Sequence, residues 1–221
     1  KKIIFHPKMM PGIVVADPAL TVGLPPHITA ATGIDALTHS LEAYCSLGYH
    51  PMADGIAVES LRLIKDWLPR AVAEGTDLEA RSHMMVASSM GATAFQKGLG
   101  AIHALSHPVS ALYDTHHGLT NAVFTPYVLA FNRPAIEDRL TRLARYLDLP
   151  NPSFGAVMDW ILGLRQDLGI PHTADALGVE PARLDEMAEK AAVDPPAASN
   201  PVPVTVADMR HLYEAALAGR L

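Results

Sequence analysis

The chain has 221 residues, of which 49% are apolar and 18% are charged, proportions typical of a folded globular protein rather than a disordered one. A formal net charge of −6, with no cluster of lysine or arginine, argues against nucleic acid or an anionic membrane as a partner. The single cysteine, Cys45, excludes an internal disulfide, and no segment is long and apolar enough to cross a bilayer. These features together predict a cytoplasmic protein.

The first part of the chain differs from the rest. Lys1–Phe5 and Ile13–Ala16 are short β-branched segments separated by proline and glycine, a pattern that predicts two short strands. A strand pair without a larger sheet is only marginally stable. The chain also has no initiator methionine. We therefore expect that a segment upstream of this chain is missing.

From Pro25 onward the pattern is helical, and it predicts helices at about 29–46 and 54–72. Thr76–Glu79 has the form of a capping box that starts a third helix. Because that helix is rich in small residues, which let helices approach closely, we place it at the centre of the domain. Further helices are predicted to carry His103 and His107, to follow His117, and to lie near 134–147, 153–168, 181–192 and 205–219. The predicted fold class is mainly α, a bundle-like helical domain at 25–221 preceded by one or two short strands.

Five side chains form a candidate metal site. Asp35 and His39 are four residues apart, so both project from one helix face, and His103 and His107 repeat that spacing on a later helix. His117 stands at a predicted helix start. One carboxylate with several imidazoles suits a first-row divalent metal such as Fe²⁺ or Zn²⁺ better than Ca²⁺ or Mg²⁺.

Spacing alone does not decide which histidines bind, because His103 and His107 could both be ligands. The same segment argues against hydrolysis. A zinc protease of the HExxH type has a glutamate after its first histidine, whereas here Ala104 follows His103. Ser106 lacks the GxSxG sequence of a serine hydrolase.

Three segments resemble the signatures of one family, the iron-containing (group III) alcohol dehydrogenases. Gly33–Tyr44 resembles the family's first metal motif, Gly98–Pro108 its second signature, and His116–Ala122 the continuation of that signature. The resemblance covers nearly the whole chain, and the three motifs together are highly specific. It implies the family's metal-binding helical half at residues 25–221, a dehydroquinate synthase-like α domain, preceded at 1–24 by the tail of the family's N-terminal nucleotide-binding domain.

The resemblance also implies a role for each matched residue. Asp35, His39, His103 and His117 match the four metal-ligand positions. His107 matches a cleft histidine beside the nicotinamide, and we expect it to relay a proton rather than bind metal. His116 departs from the pattern, because many relatives have proline there, and its role is left open.

The implied function is a metal-dependent, NAD(P)-linked alcohol dehydrogenase that interconverts a small alcohol and an aldehyde or ketone by hydride transfer. The implied cofactors are Fe²⁺ or Zn²⁺ and NAD(P). Family members often form dimers, although no sequence feature here indicates one. The chain has no GxGxxG phosphate loop after a strand, so we expect it to bind nicotinamide weakly or not at all by itself.

Two other interpretations are weighed. One is a structural or non-catalytic metal-binding helical domain, which would have a closed coordination sphere. The other is a lyase similar to dehydroquinate synthase, which shares the architecture but uses a different ligand set. The two pairs spaced by four residues fit the alcohol dehydrogenases better.

Overall fold

Eight α-helices make up the computed structural model, which describes residues 6–221. Their bounds are α1 Pro26–Cys45, α2 Pro51–Ala73, α3 Leu78–Ala94, α4 Ala101–Tyr113, α5 His117–Tyr146, α6 Phe154–Asp167, α7 Leu184–Ala192 and α8 Val206–Ala218. Short 3-10 turns connect several of them, including Pro195–Ser199 in the proline-rich segment after α7. None of the helices in 6–221 is long and apolar enough to span a membrane.

Two apolar clusters form the core, and α5 belongs to both. The first cluster joins α1, α2, the second half of α5 and α6, with Leu37, Leu61 and Leu140 fully buried. The second joins α4, the first half of α5, α7 and α8, with Leu105, Phe124 and Tyr213 fully buried. The first turns of α4 and α5 therefore meet α1 where the two clusters adjoin.

The strand predicted at Ile13–Ala16 is wrong, because residues 6–221 contain no strand. The side chains of Ile13, Val14 and Val15 are 75–85% exposed. β-branched residues favour a strand only when neighbouring strands and a core are present to receive them. The other predicted strand, Lys1–Phe5, lies outside the described residues.

The long helix α5 corrects a second prediction, which placed separate helices after His117 and at 134–147. The helix runs unbroken through Pro126 and Pro134. Each internal proline removes a backbone hydrogen bond at a cost of about 3 kcal/mol. Burial of Tyr127, Ile136 and Leu140 in the two cores outweighs that local cost.

The third helix, α3, begins where predicted but is not central. Its N-cap is Asp77 rather than Thr76, and the Asp77 carboxylate accepts hydrogen bonds from the backbone of Glu79 and Ala80 at 3.0 and 3.1 Å. Only five of its 17 residues are buried, so α3 packs on α1 and α2 by one narrow face. The last helix, predicted at 205–219, begins after a capping box that Thr205 and Asp208 form.

Candidate metal centre

Helix α1 carries the first two candidate ligands. It begins with Pro26, whose fixed φ suits the first helical position, and it continues to Cys45. The Asp35 Oδ1 atom lies 3.9 Å from His39 Nε2, with both side chains between one fifth and one quarter exposed. The α1 turn therefore presents a carboxylate oxygen and an imidazole nitrogen side by side at the edge of the core.

The starts of α4 and α5 bring two more imidazoles to the same carboxylate. His103 Nε2 lies 3.9 Å from Asp35 Oδ1, and His117 Nε2 lies 3.8 Å from it. Metal–ligand bonds of about 2.1 Å place tetrahedral ligand atoms about 3.4 Å apart. The observed separations exceed that by only a few tenths of an ångström. One ligand atom each from Asp35, His39 and His103 lies within 4.8 Å of the others, a grouping that could hold a metal ion.

Asn121, one turn after His117, marks the point toward which these acceptors converge. Its Nδ2 lies 2.7 Å from Asp35 Oδ1, 3.2 Å from His103 Nε2 and 3.1 Å from His117 Nε2. The Oδ1 of the same amide is buried without a hydrogen-bond partner among the described residues. Three acceptors thus face one electropositive amide nitrogen, an arrangement of lone pairs that also fits a cation.

His103 is held from its other side by Glu42. The His103 Nδ1 atom lies 2.6 Å from Glu42 Oε2, and both side chains are almost completely buried. The second carboxylate oxygen of Glu42 accepts the backbone N–H of Ile102 at 2.7 Å. Tyr213 holds the same helix further along, because its hydroxyl donates to the Leu105 carbonyl at 2.6 Å. Burial raises the pKa of the Tyr213 phenol, so the phenol stays protonated as a donor.

His107 lies beside the cluster and has its own carboxylate partner. Its Nδ1 is 3.0 Å from both carboxylate oxygens of Asp194. Its ring stacks on that of His117, with centroids 5.3 Å apart and planes 20° apart. The contact with Asp194 occupies Nδ1. The other ring nitrogen of His107, Nε2, is not part of this contact.

His116 has a local structural role. It is the N-cap of α5, where its Nδ1 accepts the backbone N–H of Leu119 at 3.4 Å. His50 caps α2 in the same way, accepting from Ala53 at 3.1 Å. The chain therefore uses imidazoles as helix caps where serine or aspartate is more usual.

Two glycines in the signature segments allow the elements to approach closely. A Cβ atom at Gly118 would overlap the backbone carbonyl of Ala31 and lie 3.0 Å from the Asp35 Cβ. A Cβ atom at Gly100 would lie 2.8 Å from Glu42 Oε1. Larger residues at either position would push α4 or α5 away from α1 and its carboxylates.

Comparisons with known proteins show the family to which the chain belongs. Residues 29–217 match the model of the Fe-containing alcohol dehydrogenase family, C-terminal. The chain belongs to this family. It is 40% identical to a 4-hydroxybutyrate dehydrogenase of Cupriavidus necator over 225 residues, covering 97% of the chain and 58% of that protein.

Solved structures agree in fold. An iron-containing alcohol dehydrogenase from Thermococcus thioreducens superimposes with a TM-score of 0.90 at 32% identity, over 98% of this chain and 57% of that one. A sulfoacetaldehyde reductase from Bifidobacterium kashiwanohense, solved in complex with NAD⁺, gives 0.83 at 29% identity, over 90% and 53%. The chain thus spans a little more than half the length of each of these three proteins.

Three polar side chains at the centre were not assigned roles from the sequence. Glu42 follows Asp35 by seven residues and His39 by three, so helical spacing could have placed it on the same face. Asn121 follows His117 by four residues, so the same helical spacing could have placed it on the face that carries His117. Asp194 had no such signal, because 87 residues separate it from His107 and the packing of α7 and the Pro195–Ser199 turn against α4 brings them together. Cys45 is buried and burial raises the pKa of its thiol to about 12, so it is no thiolate ligand.

Proposed function

We propose that the chain is the metal-binding half of an NAD(P)-linked alcohol dehydrogenase. Its cation, Fe²⁺ or Zn²⁺, is assigned to Asp35, His39, His103 and His117. The proposal depends on one observation: Asp35 Oδ1, His103 Nε2 and His117 Nε2 converge. Each of these atoms lies 2.7–3.2 Å from the Asn121 amide nitrogen. Three different helices, α1, α4 and α5, supply those atoms, so the arrangement is a product of the fold.

When bound, such a cation supplies Lewis acidity toward an alcohol or carbonyl oxygen. The residues of the chain supply the rest. Asp35 contributes a negative charge, which attracts a divalent cation more strongly than a neutral ligand would. Gly118 lets α5 lie against α1, so that His117 reaches the carboxylate. The proposed substrate is a small alcohol or aldehyde, and the proposed reaction is hydride exchange with a nicotinamide supplied by NAD(P).

His107 is proposed to move the proton that an alcohol loses on oxidation. With Nδ1 donating to Asp194 at 3.0 Å, Nε2 is the atom that accepts and releases the proton. Asp194 fixes the ring in that orientation, as carboxylates commonly do for functional histidines. The 12% exposure of His107 leaves a route to solvent.

The nicotinamide cofactor is proposed to depend mainly on residues outside this chain. The division at residues 24 and 25 into the tail of a nucleotide-binding domain and a helical metal-binding domain stays a prediction, as does a cytoplasmic location. Titration of the chain with NADH should give no heat change below millimolar concentrations. Tight binding by this chain would contradict that division of roles.

The metal assignment is tested by elemental analysis of protein purified without chelators. The unmodified protein should contain close to one Fe or Zn per chain, and His117→Ala should contain almost none. His107→Ala is the matched control, because it removes the stacked neighbouring imidazole but no proposed ligand. Metal retained by His117→Ala, or lost from His107→Ala, would contradict the ligand set.

The activity is tested by NAD(P)H production from a panel of primary alcohols, with the chain joined to a nucleotide-binding domain of the family. Full metal without turnover on any alcohol or aldehyde would favour a non-catalytic metal-binding domain instead. His107→Ala in an active protein should lower kcat while the metal content stays unchanged.

A further inference from the structure

The Glu42 carboxylate is buried at the boundary between α1 and α4. It is only 6% exposed, and no lysine or arginine hydrogen-bonds or ion-pairs with it among the described residues. A buried carboxylate is costly unless its oxygens are hydrogen-bonded. Here one oxygen faces His103 Nδ1 at 2.6 Å and the other accepts the Ile102 N–H at 2.7 Å.

The 2.6 Å contact determines which nitrogen of His103 carries the proton. An ionised carboxylate only accepts hydrogen bonds, so pairing with one assigns the hydrogen to Nδ1. The lone pair then resides on Nε2, the atom that faces Asp35 Oδ1 at 3.9 Å. The opposite tautomer would place two acceptors against each other at 2.6 Å and would point a hydrogen toward the proposed cation.

The second oxygen fixes the position of the ring. Ile102 lies in the first turn of α4, whose backbone N–H groups have no partners within the helix. Glu42 therefore holds the helix start and the imidazole at the same time. Gly100 makes this approach feasible, because a Cβ atom there would lie 2.8 Å from Glu42 Oε1.

We infer that Glu42 is a positioning residue of the metal centre, which sets the His103 tautomer and strengthens that ligand through its negative charge. The inference rests on the proposed function, since it presumes a cation at His103. Glu42 is not among the proposed ligands, because its oxygens face His103 Nδ1 and the Ile102 N–H. A carboxylate behind a metal-binding histidine raises the basicity of the imidazole.

The test measures the dissociation constant for Zn²⁺ in the purified chain by competition with a chromophoric chelator. Glu42→Gln keeps the size of the side chain but removes the charge and one acceptor. It should weaken Zn²⁺ binding by about 10-fold to 100-fold. Glu42→Asp keeps the charge and should recover part of that loss. The visible absorption spectrum of the Co²⁺-loaded protein should shift in Glu42→Gln, because the His103 donor strength changes.

The matched control is Asn200→Ala. Asn200 Oδ1 accepts the N–H of Ala101, the residue next to Ile102, at 3.0 Å, and among the described residues it makes no hydrogen bond to a histidine. Asn200→Ala therefore removes a hydrogen bond from the same helix start, together with the Asn200 contacts to Asn132 and Val202, and leaves the His103 contact with Glu42 intact. We expect a lower melting temperature and a Zn²⁺ dissociation constant within about threefold of the unmodified chain.

Two results would overturn the inference while leaving the proposed metal centre in place. One is Glu42→Gln binding Zn²⁺ as tightly as the unmodified chain, while His103→Ala loses the metal. The other is equal weakening by Glu42→Gln and Asn200→Ala, which would assign the effect to helix packing alone. Absence of Zn²⁺ binding by the unmodified chain would overturn both the inference and the proposed function.

Discussion

Helices α1 and α3 are both rich in small residues, yet they occupy different environments. Fourteen of the 20 residues of α1 are buried, against five of the 17 residues of α3. Helix α1 packs against α2, α3 and α5, whereas α3 packs mainly against α2 and α1. Small side chains permit a close approach but do not determine how many neighbours a helix acquires. The candidate ligands Asp35 and His39 lie on α1, the helix with more neighbouring helices.

The largest expected difference between the two helices is in metal binding. Asp35→Ala on α1 removes the only proposed anionic ligand, and we expect the metal content to fall to almost zero. His83→Ala on α3 removes an imidazole that stacks on Trp67, with ring centroids 4.1 Å apart, and should leave the metal content unchanged. Elemental analysis of both variants tests the contrast. Loss of metal from His83→Ala would show that α3 contributes to the centre.

The next largest difference is in the free energy of unfolding. Leu37→Ala on α1 empties a fully buried site and should cost about 2–5 kcal/mol. Val86→Ala on α3 changes a side chain that is 51% exposed and should cost less than about 1 kcal/mol. Urea denaturation of both variants measures the two costs. Equal costs would mean that the outer face of α3 is covered in solution.

A smaller effect is expected where the two helices touch. A Cβ atom at Gly91 of α3 would lie 2.8 Å from Ser40 Oγ and 3.3 Å from both the Ala36 carbonyl oxygen and the His39 Cβ. Gly91→Ala should therefore destabilise the protein by about 1–3 kcal/mol through overpacking.

Gly163→Ala on α6 is the control for Gly91→Ala, because its Cβ atom would meet nothing within 4 Å. It should stabilise the protein by up to about 1 kcal/mol through helix propensity. The melting temperatures of the two variants should move in opposite directions. A parallel change would contradict the close approach of α3 to α1.

The smallest effect belongs to the outer surface of α2, away from both helices. Hydrogen bonds from Arg62 and Tyr146 lower the pKa of Glu59 from 4.5 to about 2. Because the folded-state pKa is depressed, the stabilisation is present above about pH 4.5 and is lost as the pH falls toward 2. The side chain is about one third exposed, so solvent screening limits the contribution to less than about 1 kcal/mol.

Glu59→Gln should accordingly lower the melting temperature slightly at pH 7. The difference from the unmodified protein should shrink as the pH approaches 2. Calorimetric scans at several pH values test the trend. A difference that is constant with pH would show that the carboxylate charge is irrelevant to the contact.

Several structural features followed from local sequence patterns. The helical spacing of apolar residues predicted α1 and α2 to within about three residues at each end, and the helix predicted at 205–219 is observed as α8. The iron-containing alcohol dehydrogenase motifs identified the family. The spacing of four residues within α1 predicted that Asp35 and His39 share a face, and the structure places their ligand atoms 3.9 Å apart.

The errors share one physical cause, since each depended on neighbours that local patterns do not specify. The β-branched Ile13–Ala16 segment has no partner strand in residues 6–221. In α5, burial of side chains in two cores outweighs the energetic cost of the internal prolines. The small residues of α3 indicated close contact but not its extent.

The sequence by itself determined most of the helices, the family and the types of side chain available for a metal centre. Only the tertiary structure decided that Glu42 contacts His103, that Asp194 contacts His107, and that Asn121 faces three acceptors. Helical spacing fixes which residues share a face because the helix repeat is local and regular. Which faces then meet depends on the burial of side chains from the whole chain, and no segment encodes that alone.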